Sequence, residues 1–71
     1  MMTRTDVNAA LEDWLDGTLI PEGDAFDNML GSFMNNVIYP KLEADEESEC
    51  WDELMHWAND RLSDLLDRQN A

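Results

Sequence analysis

The apolar residues of this 71-residue chain recur at the spacing of a helix in three separate blocks, and no segment shows the two-residue alternation of a strand. In the first block Val7, Ala10, Leu11, Trp14 and Leu15 fall on one stripe. Thr3 or Thr5 can cap its start, and Asp6 completes a capping-box-like spacing from Thr3. Gly17 is placed to end it in the left-handed conformation. The first helix is expected over about residues 5–16.

Leu19 and Ile20 follow in a connection, where their side chains are expected to cover one end of the core. Pro21 can occupy the first turn of the next helix, since the amide it lacks would be unpaired there. Phe26, Met29, Leu30, Phe33, Met34, Val37 and Ile38 then carry the pattern over three turns. Pro40 disfavours helix at Tyr39, so the second helix is expected from about 22 to 39. Gly31 inside it costs about 1 kcal/mol relative to alanine, which predicts close approach by a ring such as Trp14 or Trp51.

Residues 41–49 form an acidic joint, read either as a short helical turn or as a loop. After it Trp51, Leu54, Met55, Ala58, Leu62, Leu65 and Leu66 make the third stripe, over about 49–69. Acids at its start and Arg61 and Arg68 toward its end complement the helix dipole. The fold class is therefore all-α: a small three-helix bundle in a single acidic domain, residues 1–71. A chain this short buries only about 60% of its unfolded surface, which leaves no room for a deep cleft. Self-association through an apolar face would add burial, so a homodimer is an open expectation.

Charge narrows the function. Four Lys and Arg against 17 Asp and Glu give a formal charge of −13, with the acids spread from Asp6 to Asp67. Such a surface repels nucleic acids and anionic membranes and steers association toward basic partners. Cys50 is the single cysteine, which fits a reducing compartment and reads as a small thiol rather than a nucleophile. No apolar run approaches the ~18 residues that span a bilayer, and the first residues lack an apolar signal core. A soluble, cytoplasmic protein is expected.

The candidate partner-binding residues lie along the third helix. Glu49, Glu53, Asp60, Asp64 and Asp67 recur at spacings of three, four and seven, opposite the apolar stripe. Over that stretch a helix rises about 27 Å, the length of roughly eight base pairs of duplex. An ordinary solvated face usually mixes signs, whereas here like pairs such as Glu12/Asp16 and Asp60/Asp64 each cost about 0.2–0.5 kcal/mol with hardly any lysine to offset them. Adaptation to high salt would give the same composition, and would show as folding that needs molar salt. Trp57 sits beside the third stripe, where it either broadens the core face or stands among carboxylates as a binding hot spot. Tyr39 is a weaker candidate of the same kind.

Size, charge and helical periodicity along the whole chain resemble the small acidic inhibitors that phages and mobile elements encode against host nucleic-acid-binding machinery, DNA mimics and anti-CRISPR proteins among them. The resemblance is one of class and carries no motif, so no functional residue is transferred from it. It implies a phage-encoded inhibitor acting in the host cytoplasm on a basic nucleic-acid-binding protein or complex. An acyl carrier protein is excluded, because Ser32, Ser48 and Ser63 all lack the Asp-Ser-Leu setting that carries its prosthetic group.

The remaining constellations point away from chemistry. Glu53 and His56 match one Glu-x-x-His element of a di-iron bundle, but such sites need two elements and further inward carboxylates. No nucleophile, base and orienting acid stand in a recognisable pattern, and no phosphate loop or EF-hand spacing occurs. The chain reads as no enzyme, with no metal and no cofactor. The alternative to the inhibitor is a dimeric helical adaptor that binds a partner through an apolar patch around Trp57 and Tyr39, its acidity serving solubility alone.

Overall fold

Thr3 starts the first helix. Its hydroxyl accepts from the Asp6 amide at 3.2 Å while the Asp6 carboxylate accepts from the Thr3 amide at 3.0 Å, closing the capping box. A computed structural model describes the backbone of residues 2–45 and 51–71 and the side chains of 2–42 and 51–71. In it α1 spans Arg4–Leu15 and buries Val7, Leu11 and Leu15. The left-handed stop begins one residue earlier than expected, at Asp16 (φ 44°), and Gly17 (φ 81°) continues it. Aspartate is among the few side chains that tolerate that region.

The connection differs from expectation at two points. α2 spans Asp24–Phe33, so Pro21 lies before the helix and not in its first turn. Gly23 precedes the helix instead, at φ 68°, a conformation open to glycine. Ile20 is buried as expected, but Leu19 is 74% exposed and covers no core.

Pro40 does not end the second helix. After α2 the chain widens into a π-helical turn, Met34–Ile38, and continues as α3, Tyr39–Asp45, forming one rod. The Tyr39 amide donates to Met34 O, five residues back, immediately before the proline. A widened turn gives room to a ring that would otherwise press on the carbonyl four residues earlier, and Pro40 has no amide to lose. The acidic joint is thus helical through Asp45, of the two forms expected for it. Gly31 has nothing within 4 Å of where a Cβ would stand, so neither Trp14 nor Trp51 crowds it.

α4 spans Trp51–Asn70, with Asp52 and Glu53 in its first turn and Arg68 in its last. Contacts between α1 and α4 climb together, Arg4 to Asp60, Glu12 to Arg61, Ile20 to Gln69, so these helices run parallel. The α2–α3 rod runs antiparallel to them, with Trp14 against Phe33 at a ring-centroid separation of 5.5 Å. The described residues therefore form a three-rod, all-α bundle. Phe33, Leu11, Met34, Ile38, Leu54, Leu62 and Val7 are its fully buried centre. Each such side chain contributes about 1.5–3 kcal/mol by leaving water.

Candidate partner-binding surface

Among the described residues no polar or charged side chain is buried, so every described carboxylate of known exposure stands at the surface. How these acids are compensated differs sharply from place to place. All three arginines go to the side of the bundle where α1 meets α4. Arg61 joins Glu12 of α1 at 2.6 Å to Asp64 of α4 at 3.2 Å, and Arg68 meets the same Asp64 at 3.1 Å. Arg4 reaches across from α1 to Asp60 at 3.6 Å, and His56 approaches Asp60 at 3.3 Å.

That arrangement sets cations on part of the carboxylate row read along the third helix. Asp60 and Asp64 are only half-exposed and already hold cations, and Asp64 holds two. The repulsion expected between Asp60 and Asp64, and the charge on Glu12, are eased by arginines in the folded state. Glu53 and Asp67 are both exposed and make no ion pair among the described residues. At 1.5 Å per residue they stand about 21 Å apart along α4. Glu49, the first member of the row, and Cys50 lie outside the described residues.

Among the described residues the acids away from the seam carry no arginine. Asp13, Asp16, Asp24, Asp27 and Asp52 are all exposed. Lys41 shares a surface groove with Asp13, Trp14 and Val37, placing the fourth basic residue beside α1. The fold opposes protonation of Asp6. The Thr3 amide donating to its carboxylate, with the Thr3 hydroxyl beside it, holds the Asp6 pKa below its ordinary value.

Two polar features of the seam had no sequence signal. The Gln69 side chain clamps the connection: its carbonyl oxygen accepts from the Ile20 amide at 2.7 Å, and its amide donates to Ile20 O at 2.9 Å. Nearby, the Asn70 amide donates to the Glu22 carboxylate at 3.1 Å. These contacts join residues 48 and 49 positions apart, which no local periodicity can register. The seam is not fully satisfied, because Asn8 Oδ1 and Arg61 Nε are shielded from solvent without a partner among the described residues.

The aromatic candidates divide. Trp57 is half-buried and packs against the core. Tyr39 is 54% exposed and meets Trp51 edge-on at 6.3 Å. Among the described residues no three His, Cys, Asp or Glu side chains gather as metal ligands, and no helix is long and apolar enough to cross a membrane. Neither known protein families, nor curated proteins, nor solved structures yield a match to this chain.

Proposed function

We propose that this chain is a stoichiometric inhibitor of the anti-CRISPR or anti-restriction type, which sets surface carboxylates into the basic groove of a nucleic-acid-binding protein or complex. One observation carries the reading: the arginines are spent on a single seam, leaving the other acids among the described residues without them. A chain selected only for solubility gains from spreading its few cations through the acids, because each dispersed pair removes repulsion. Concentrating them stabilises one helix contact and leaves the other described acids without an arginine.

The carboxylates take the place of phosphates. Glu53 and Asp67 along α4 are the members of the row without an ion pair among the described residues, Asp67 on the same groove as Arg4, Arg61 and Asp64, with Glu49 preceding them in sequence. Asp60 and Asp64 contribute less, since a partner's guanidinium would have to displace Arg4, Arg61 or Arg68 from them. Long-range attraction makes encounter fast and strongly dependent on salt.

The apolar adaptor retains one supporting observation, the exposed face of Tyr39 against Trp51. Trp57 supports it less, because its packing on the core already accounts for it. Capture on immobilised chain from a host-cell lysate at low salt, followed by a challenge with duplex DNA, separates the readings. The inhibitor reading expects a basic nucleic-acid-binding protein that DNA displaces and whose own DNA binding is lost at a one-to-one ratio. A partner that ignores DNA and stays bound as salt rises would reject it for the adaptor.

A further inference from the structure

The connection between α1 and α2 leaves one aliphatic side chain in water: Leu19 is 74% exposed although Ile20 beside it is 94% buried, at 6% exposure. A single exposed leucine is ordinary. This one stands on a groove of about 240 Å³ whose apolar lining comes from Leu15, Ile20 and Leu65, with Glu12 on its wall. The groove is held open in advance, because Gln69 fixes both backbone groups of Ile20 from α4. Little ordering would accompany its filling.

The surroundings of the groove set the charge of what fits. Asp16, between Leu15 and Gly17, is exposed, and so is Glu22, two residues beyond Ile20. Because α1 and α4 run parallel, both end here. α1 has no basic residue in its last turn, whereas Arg68 stands in the last turn of α4 and Arg61 already pairs with Glu12. The negative character of the rim therefore comes from Asp16, Glu22 and the carbonyl end of α1. An apolar pocket with an anionic rim matches an aliphatic side chain flanked by lysine or arginine.

We propose that this groove docks a cationic amphipathic helix of a partner protein, which seats one aliphatic side chain against Leu15, Leu19 and Leu65 and turns its basic groups to Asp16, Glu22 and the carbonyl end of α1. The inference rests on the proposed function for the partner's charge and adds the place and the apolar anchor of contact. A second copy is the poorer occupant, since it would bring a charge of −13 against −13.

The test uses the full chain, ¹⁵N-labelled, titrated at low salt with a synthetic leucine/lysine amphipathic helix and then with a peptide of the same composition whose leucines are scattered. The amphipathic peptide should shift the amides of Leu15 to Ile20, Leu65 and Gln69 and bind about tenfold more tightly than the scattered one. Leu19→Ser should remove about that tenfold, the worth of burying part of a leucine. Leu19 is at the surface, so the variant should keep its helical circular dichroism. Equal binding of both peptides, unaffected by Leu19→Ser and shifting amides elsewhere, would overturn the groove and leave the basic-partner reading standing. No binding of either peptide would reject both. Concentration-dependent shifts at these amides without peptide, with a doubled mass, would assign the groove to a second copy instead.

Discussion

The two sides of α1 are held by different forces. Toward α4 it is joined by buried leucines and by a ladder of polar contacts, Arg4 to Asp60, Arg61 to Glu12, and Gln69 to the connection that follows α1. Toward the α2–α3 rod the described contacts are apolar: Trp14 on Phe33, with Met34 and Ile38 fully buried behind them. Parallel helices joined through charge should respond to salt, whereas a rod held by packing should respond to volume. The arginines are thus used where they select one neighbour of α1, and packing is the main tie to the other, with Lys41 beside Asp13 at its edge.

The largest break in that comparison comes from the packed side. Phe33→Ala should cost about 3–5 kcal/mol, because Phe33 is fully buried and its removal leaves a cavity beneath Trp14. Denaturant melts should show the loss undiminished between low and high salt. A loss that shrinks with salt would contradict the assignment of this side to packing.

On the polar side Gln69→Ala should cost about 2 kcal/mol, since it strips two hydrogen bonds from a part-buried backbone. Its signature is local: hydrogen exchange at the Ile20 amide should accelerate more than exchange at Leu54 or Leu62. Uniform acceleration would mean that the clamp belongs to the global core. Arg61→Met, keeping most of the aliphatic stem, should cost about 1 kcal/mol or less, and high salt should narrow the difference, as befits pairs that are partly exposed.

Gly31→Ala sharpens the comparison from inside the rod. Open space lies where the Cβ would go, so the substitution should stabilise the chain by up to about 1 kcal/mol, read as a rise in melting temperature. Destabilisation would restore the close ring approach that the sequence led us to expect.

The smallest effect concerns the cap. The Asp6 pKa is depressed in the fold, so its contribution is present above the ordinary aspartate value of 3.8 and fades as pH falls through the lower folded value. Asp6→Asn should therefore lower stability near neutral pH and converge with the parent chain below that range. Curves that stay parallel to the lowest pH would show that the cap does not depend on the carboxylate.

Periodicity in the sequence made the three rods and nearly all of the core legible, because burial of one face leaves its trace every third or fourth residue. Local rules failed where a longer element absorbed the exception. Pro40 reads as a stop until a π-turn widens the helix ahead of it, and Pro21 reads as a helix start until Gly23 takes the bend. At the surface the acidic row on the third helix was legible by spacing. The neutralisation of Asp60 by Arg4 was not, since it joins residues 56 positions apart and depends on α1 and α4 lying parallel.

In the proposed function uncompensated carboxylates, not merely total charge, engage a basic partner, and α4 offers a matched test of this. The double variants Glu53→Gln/Asp67→Asn and Asp60→Asn/Asp64→Asn each remove two charges from one helix, the first from groups without ion pairs among the described residues and the second from bridged ones. Association rate and affinity for the captured basic partner would be measured for both across a range of salt. The first pair should slow association, weaken binding and flatten the salt dependence at unchanged stability, while the second should mainly lower stability. If Glu53→Gln/Asp67→Asn leaves the rate, the affinity and the salt dependence as they were, the proposed function is contradicted.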